Sequence, residues 1–158
     1  MLAYLSIAIV VLGLDQWSKF EAIRHLAKAP IRLDHYLNLV LVYNRGAAFG
    51  FLSNQSGWQN LLFIVVAVVM VVGIVWFVTR LAHADRLIVV ALMLVLGGAL
   101  GNLTDRLRIG RVVDFIDFHI GSWHWYTFNL ADSAITVGIV LIVLDAFVSR
   151  STAVTEKS

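Results

Sequence analysis

The chain has 158 residues, of which 60% are hydrophobic and 14% charged, and its formal net charge is +2. Soluble domains are about half apolar and about a quarter charged, so this composition is too apolar for a water-soluble fold, and the length allows one domain. The small charge argues against a nucleic-acid partner, and the lack of cysteine excludes disulfides, a thiol nucleophile and cysteine lipidation of the chain itself.

Four apolar segments, taken in chain order, predict four membrane-spanning helices. They cover residues 2–20, 59–79, 87–106 and 130–149. Residues 61–78 form an unbroken run of 18 apolar or glycine residues, close to the about 20 that span a bilayer core. The first segment has neither the basic start nor the small-residue cleavage site of a signal peptide, so we expect it to be retained as a helix. Residues 1–158 are therefore predicted to be a single α-helical membrane domain.

Two long connections, residues 21–58 and 107–129, lie on the same side of this predicted bundle, opposite both termini and the short turn at 80–86. In the first connection, residues 21–29 predict a helix at the membrane interface. Residues 37–43, rich in Val, Leu and Tyr, predict a strand before the turn Asn44-Arg45-Gly46. We expect residues 37–51 to form a small β cradle on the membrane surface.

The second connection and the basic residues bear on how the chain sits in the membrane. Trp123, Trp125 and Tyr126 are typical of the aromatic belt at a headgroup boundary. Eight of the twelve basic residues lie on the side with the long connections. A positive-inside count would place that side in the cytoplasm.

Ionisable residues within the predicted spans are candidate functional positions, because each costs a few kcal/mol to insert into lipid. Asp15 and Lys19 are four residues apart and can pair on one helix face, either as a structural ion pair or as part of a site. Asp145 lies 13 residues beyond Asp132, about 20 Å along a helix, and is interpreted as interfacial at the opposite surface.

The third span ends in a polar face preceded by glycines. Gly97 and Gly101 have the small-xxx-small spacing that lets a neighbouring helix approach closely. Asn102, Asp105 and Arg106 follow on one face. For these three, a packing face closed by an Asp105–Arg106 pair is favoured over direct chemistry.

Two further carboxylates lie close to the same membrane surface. Asn129 and Asp132 start the fourth span on one polar stripe, where a carboxylate gains from the helix dipole. Asp114 is flanked by large apolar residues, and burial would raise its pKa. The alternation of residues 113–117 also fits an ordinary edge strand with two outward acids.

Several kinds of hydrolytic chemistry can be weighed against these residues. The sequence has no HExxH motif and its five histidines are scattered, which disfavours a zinc peptidase. A serine–lysine dyad lacks a serine in a distinctive context near Lys19. Two carboxylates that share a proton suffice for peptide hydrolysis, because the ionised one activates water and the neutral one protonates the scissile carbonyl oxygen.

Five sequence blocks together resemble the bacterial lipoprotein signal peptidase (signal peptidase II) family. They are Asp15-Gln16-Trp17-Ser18-Lys19; Asn44-Arg45-Gly46-Ala47-Ala48-Phe49-Gly50; Gly97-Gly98-Ala99-Leu100-Gly101-Asn102 with Asp105-Arg106; Val112-Val113-Asp114-Phe115; and Phe128-Asn129-Leu130-Ala131-Asp132-Ser133. They occur in the family's order and extend over residues 15–133.

The resemblance implies an aspartic endopeptidase with Asp114 and Asp132 as the catalytic pair and no metal or cofactor. The implied supporting or substrate-binding residues are Asn44, Asn102, Asp105, Arg106, Asn129, Asp15 and Lys19. The substrate would be a prolipoprotein whose cysteine already carries diacylglycerol, cut on the N-terminal side of that cysteine. The implied enzyme is a monomer in the bacterial cytoplasmic membrane, in contact with lipid, with cytoplasmic termini and a site near the outer surface. We prefer this orientation to the charge count, since several of the basic residues lie in spans or motifs.

Two other classes of function compete with this interpretation. A proton-coupled transporter would use the same acids as a relay, but it does not explain their clustering at one surface. An assembly subunit would use the glycine-rich helix contacts alone, and single Asp→Asn changes would then alter partner binding rather than a reaction.

Overall fold

The computed structural model describes residues 2–46, 58–80 and 86–155, which form long helices and a small antiparallel sheet. The helices are α1 (Leu2–Leu26), α2 (Trp58–Arg80), α3 (Arg86–Ile109) and α4 (Leu130–Thr155). The strands are β1 (Ile31–Arg32), β2 (Leu37–Asn44), β3 (Val112–Ile120) and β4 (Trp123–His124), in the spatial order β1-β2-β3-β4.

Helix α3 is central and packs against α1, α2 and α4. Its glycines allow the close approach to α1 that their spacing predicts. A Cβ on Gly97 would lie 2.7 Å from the Cβ of Val11 and 2.8 Å from the carbonyl oxygen of Ala8. A Cβ on Gly101 would collide with the carboxylate of Asp15. The polar end of α1 can therefore reach α3 only because these positions lack a side chain.

A mostly helical membrane domain with a small sheet agrees with the prediction. Within the described residues, three helices are long and apolar enough to cross a membrane: α2, α3 and residues Leu130–Val148 of α4. Helix α1 does not meet that criterion. Its second half carries the charged residues Asp15, Lys19, Glu21 and Arg24.

The separate interfacial helix predicted at residues 21–29 is wrong. Residues 21–26 continue α1 without a break, and the helix ends at Leu26, before Pro30. Ala22 and Leu26 are buried against Phe115 of the sheet. The extension of α1 is therefore a support on which the sheet packs, and the sequence between Phe20 and Leu26 contains no residue that would interrupt a helix.

The strand predicted at residues 37–43 is present as β2, which pairs with β3 in antiparallel register. Val42 lies opposite Asp114, and the ladder is irregular between Leu39 and Val42. On its other side β3 pairs with β4, and Ile116 bridges to Phe128. Strand β3 is thus an interior strand, and the edge-strand alternative for Asp114 is wrong. Residues 47–51 of the predicted cradle, and 81–85 of the predicted short turn, lie outside the described residues.

Candidate active site

Asp114 lies on the interior strand β3 with only 2% of its surface exposed. Its Oδ2 accepts a hydrogen bond from the Asn44 side-chain amide at 3.0 Å, and its Oδ1 accepts one from Asn129 at 2.6 Å. The Asn44 oxygen in turn accepts the N–H of Gly46 at 2.9 Å, which fixes the direction of its amide. Burial raises the pKa of Asp114 to about 7, and the nearby charge of Asp132 adds to the shift.

Asp132 lies in the first turn of α4 and forms a capping box with Asn129. The Asn129 side-chain oxygen accepts the N–H of Asp132 at 3.0 Å. In return, the Asp132 Oδ2 accepts the backbone N–H of Asn129 at 3.2 Å. Each residue satisfies an N–H that the start of a helix leaves unpaired. The other carboxylate oxygen of Asp132 accepts the side-chain amide of Asn102 at 2.8 Å.

Asn129 connects the two aspartates. Its side-chain oxygen is committed to the helix cap, so its NH₂ group must point the opposite way, towards Asp114. The residue is fully buried, with 0% of its surface exposed. The same NH₂ group also reaches the carbonyl oxygen of Val113 at 3.2 Å. A helix cap thus determines the direction of the hydrogen bond to Asp114.

Lys19 is buried in a cluster of acceptors behind the aspartates. Its Nζ lies 2.9 Å from a carboxylate oxygen of Asp15 and 2.9 Å from one of Asp105, and it donates to the Asn102 side-chain oxygen at 2.9 Å. An ammonium group has three N–H donors, so all three are used. The Asp15–Lys19 pairing agrees with the sequence prediction. The predicted Asp105–Arg106 pair is wrong, because Asp105 faces Lys19 across the helix interface.

The Lys19 cluster reaches the aspartates through two short paths. Because Lys19 holds the oxygen of the Asn102 amide, the NH₂ of Asn102 faces Asp132. Asp105 also accepts the backbone N–H of Val113 at 3.1 Å, one residue before Asp114 on β3. Removal of the Lys19 charge would therefore disturb both carboxyl groups.

Asp15 and Gln16 join α1 to the other helices. Asp15 accepts the N–H of Ala131 in the first turn of α4 at 3.0 Å, where a negative charge is favoured. Gln16 donates to Asp15 at 3.2 Å, to the carbonyl oxygen of Gly101 at 3.2 Å and to Asp105 at 3.0 Å. Gln16 was not among the predicted site residues, although it stands between Asp15 and Lys19 in the first motif block.

A cavity of about 590 Å³ opens beside Asp114 and Asp132. Arg106 lines it, over the ring of Phe63 at 5.1 Å, and donates to the carbonyl oxygens of Gly46 and Asn102 at 3.4 and 3.5 Å. Among the residues with described side chains, none pairs its carboxylate with Arg106 within 4.0 Å. Nine further lining residues were not among the predicted site residues: Val112, Trp125, Tyr126, Thr127, Phe128, Ser133, Ile135, Thr136 and Val137.

A second polar cluster lies farther along the sheet. Burial alone would raise the pKa of Asp117, but hydrogen bonds from Asn38 at 3.0 Å and His124 at 2.8 Å outweigh it and lower that pKa. The rings of His119 and His124 stack with their centroids 5.0 Å apart. None of these residues lines the cavity. The described part of the chain contains no cluster of three or more His, Cys, Asp or Glu residues suited to a metal ion.

Comparison with known proteins assigns the chain to a family. The family model described as signal peptidase (SPase) II matches residues 7–148. The chain belongs to the signal peptidase II family. Signal peptidase II enzymes are aspartic peptidases of the membrane that cleave signal peptides from prolipoproteins.

Individual members of the signal peptidase II family are similar over most of their length. The lipoprotein signal peptidase of Burkholderia cenocepacia (strain HI2424) is 52% identical over 143 residues, which are 90% of this chain and 86% of the relative. That of Burkholderia multivorans (strain ATCC 17616 / 249) is 50% identical with the same coverage.

Solved structures are similar to this fold. A bacterial membrane enzyme solved by the in meso method at 2.3 Å resolution matches with a TM-score of 0.84 and 31% identity, covering 96% of this chain and 92% of the other. A second, at 1.9 Å resolution, matches with a TM-score of 0.79 and 33% identity, covering 92% and 93%.

Membership of the signal peptidase II family decides between the three classes of function that the sequence left open. The chain is an enzyme of the peptidase class, and the transporter and assembly-subunit alternatives lose their support. The resemblance predicted from the five sequence blocks is confirmed.

Proposed function

We propose that Asp114 and Asp132 are the catalytic pair of an endopeptidase that removes the signal peptide from diacylglyceryl-modified prolipoproteins. Cleavage would occur on the N-terminal side of the lipidated cysteine. One observation carries the proposal: the side chain of Asn129 hydrogen-bonds both to the Asp114 carboxyl group and to the Asp132 backbone. Both carboxyl groups line the same cavity of about 590 Å³, so a single peptide bond can contact both.

The surroundings of the two acids support a division of labour between them. Asp114 is neutral below a pKa of about 7 and donates its proton to the scissile carbonyl oxygen. Asp132, whose carboxyl oxygens accept hydrogen bonds from the helix start and from the Asn102 amide, acts as the general base and takes a proton from the attacking water. When the tetrahedral intermediate collapses, the proton held by Asp132 passes to the leaving amine, and Asp114 recovers its own from the hydroxyl group.

The supporting residues act at different distances from the reacting bond. Asn44, Asn102 and Asn129 hold the carboxyl groups in place. Arg106 carries a positive charge on the cavity wall and binds a carbonyl oxygen of the substrate, where it stabilises negative charge that develops in the transition state. Three buried charges, Asp15, Lys19 and Asp105, position these groups from behind.

The cavity offers a lateral route for a lipid-bearing substrate. Its wall continues onto the first turns of α4 at Ile135, Thr136 and Val137, and both Thr136 and Val137 are exposed. The substrate's signal helix would lie along this side of the bundle with its acyl chains in the bilayer. The extended residues before the cysteine would then enter the cavity beside Asp114 and Asp132.

We also propose that α1 crosses the membrane, in addition to α2, α3 and α4, which gives four membrane spans. Two of the charges that make α1 unusual, Asp15 and Lys19, are buried and paired with each other. They therefore do not face lipid, and the preceding residues 3–14 contain no charged side chain. The enzyme would be a monomer of the cytoplasmic membrane, with both termini in the cytoplasm and the aspartates near the outer surface.

A cleavage assay tests the substrate and the mechanism together. The purified enzyme is given a lipobox peptide with a diacylglyceryl cysteine, and separately the same peptide with a free cysteine. We expect cleavage of the lipidated peptide alone, before the cysteine, at a rate that EDTA does not change. Loss of activity in EDTA would contradict the two-aspartate mechanism, and equal cleavage of both peptides would contradict the substrate assignment.

Orientation can be measured independently, because the chain contains no cysteine. Single variants Ser122→Cys, after β3, and Ser158→Cys, at the C-terminus, are treated with an impermeant maleimide on spheroplasts. We expect labelling at position 122 and none at 158 until the membrane is opened. The reverse pattern would place the site on the cytoplasmic side.

A further inference from the structure

At the end of the bundle where α1 and α3 end and α4 begins, the buried charges are mostly carboxylates and the exposed charges are mostly cations. The buried carboxylates there are Asp15, Asp105, Asp114 and Asp117. The exposed charges are mostly cations: Arg24, Lys28, Arg32, Arg45 and Arg108. Of the nearby acids, exposed Asp34 accepts the backbone N–H groups of Tyr36 and Leu37, and half-buried Glu21 pairs with His25. The surface at this end is therefore basic, although the chain as a whole carries only +2.

On α1, Arg24 continues a stripe of exposed apolar side chains, and Lys28 follows just beyond the end of the helix. Trp17 and Phe20 are 64% and 59% exposed, and Arg24 and Lys28 follow at intervals of four residues. Residues three or four apart share a face of a helix, and Arg24 lies within α1. The apolar stripe thus passes directly into positive charge where α1 ends.

Exposed cations also stand next to exposed apolar residues on β1 and at the end of α3. Arg32 on β1 stands between the exposed side chains of Ile31 and Leu33. Arg108, in the last turn of α3, stands between Leu107 and Ile109, which are 64% and 45% exposed. In water alone, exposed large apolar side chains beside these cations would be unfavourable. At the headgroup level of a bilayer the same combination is favourable, because the apolar groups enter the acyl region and the cations bind phosphate.

We infer that Arg24, Lys28, Arg32 and Arg108, here called the basic rim, bind anionic phospholipid headgroups in the leaflet around this end of the bundle. The rim lies on three separate elements rather than around one pocket, which suits many lipid phosphates and not a single soluble ligand. Binding to lipid headgroups would also explain why basic residues are in excess on this side, whichever way the chain is oriented in the membrane. This inference goes beyond the peptidase function and does not require it.

The test measures lipid selectivity directly. The enzyme is reconstituted in phosphatidylcholine bilayers containing a trace of spin-labelled phosphatidylglycerol or spin-labelled phosphatidylcholine. Electron spin resonance then gives the motionally restricted fraction of each lipid at the protein surface. We expect phosphatidylglycerol to be preferred severalfold and the preference to shrink in high salt, because screening weakens exposed charges.

Charge-removal variants link the preference to the rim. The triple variant Arg24→Gln, Arg32→Gln, Arg108→Gln removes three of the four rim cations and should lose most of the severalfold preference. The matched control, Arg80→Gln with Arg86→Gln, removes charge at the opposite end of the bundle and should keep it. Equal restriction of both lipids by the unmodified enzyme, or a preference retained by the triple variant, would overturn the inference.

Cleavage of the lipidated peptide in detergent provides a check on folding. None of the three substituted side chains lines the cavity, so the triple variant should retain the unmodified rate there. A triple variant that fails to cleave in detergent is replaced by the single variant Arg32→Gln, which removes one of the four rim cations and should lose part of the severalfold preference. An unchanged preference in that variant would count against the rim. Loss of lipid preference with cleavage intact separates this inference from the proposed function.

Discussion

Replacement of Asn129 by serine separates the two tasks of that side chain. A serine hydroxyl can still accept the N–H of Asp132, and Ser and Asn are equally good helix caps. It cannot reach Asp114, which loses the 2.6 Å hydrogen bond to its Oδ1. The Asn129 NH₂ also reaches the Asn102 oxygen at 3.2 Å, but that oxygen keeps Lys19 as a donor. The variant therefore loses the donors to the Asp114 carboxyl oxygen and to the Val113 carbonyl oxygen.

The expected losses of stability and of kcat follow from these missing hydrogen bonds. An unsatisfied buried acceptor costs about 1–3 kcal/mol, so Asn129→Ser should unfold at a modestly lower temperature. Displacement of a reacting group by about 1 Å can cost about 100-fold in rate, so we expect kcat to fall by about two orders of magnitude. The assay is cleavage of the diacylglyceryl peptide, with thermal unfolding measured in the same detergent.

Asn38→Ser provides the matched control. Asn38 donates to the buried carboxylate of Asp117 at 3.0 Å, an equivalent bond on the same sheet but away from the cavity. It should lose a similar amount of stability with kcat unchanged. If Asn129→Ser retains the kcat of the unmodified enzyme, or if Asn38→Ser loses as much activity, the link between Asn129 and catalysis is refuted.

Three further predictions test other parts of the account. Because Asp114 must be neutral to donate a proton and its pKa is about 7, kcat/KM should fall as pH rises through about 7; a pH profile level from 6 to 8 would contradict this. Lys19→Met leaves two buried carboxylates without their cation and should destabilise the fold by about 3–5 kcal/mol in chemical denaturation, whereas a change below about 1 kcal/mol would remove its structural role. Gly101→Ala forces a methyl group against the α1–α3 contact and should cost about 1–3 kcal/mol, while Gly73→Ala, whose Cβ meets open space on α2, should cost nothing; equal thermal stability of the two variants would contradict the packing argument.

The helices and the strand β2, whose signals lie within single segments of the sequence, could be predicted. Each of the four apolar segments is helical, because runs of about 20 apolar residues have few other stable states in lipid. The strand at residues 37–43 could also be predicted, since its β-branched and aromatic residues precede a turn motif. These signals are local, and each lies within one element.

Features that depend on a neighbouring element could not be predicted. Residues 21–26 have the composition of an interfacial helix, and nothing in their own sequence shows that Ala22 and Leu26 pack against Phe115 of the sheet. Asp105 and Arg106 are adjacent in sequence and suggested a pair. The partner that Asp105 meets is Lys19, which is 86 positions away along the chain.

The candidate site could be predicted only in part from the sequence, because it also depends on contacts between different elements. Helical spacing placed Asn129 and Asp132 on one stripe, and the capping box in the structure has that spacing. No spacing relates Asp114 on β3 to Asp132 on α4. Their common location followed from family resemblance in the sequence and from the hydrogen bonds of Asn129 in the structure.

Single-turnover cleavage of the lipidated peptide by Asp114→Asn, Asp132→Asn and the double variant is the sharpest test that the two aspartates act together as the catalytic pair. Both substitutions keep the size of the side chain but place an NH₂ group against an N–H donor, so each single variant should remain folded and unfold at a modestly lower temperature. If the two acids act as a unit, each single variant loses as much activity as the double variant, because groups that share one task are not additive. A folded single variant that still cleaves at a substantial fraction of the unmodified rate would contradict the account.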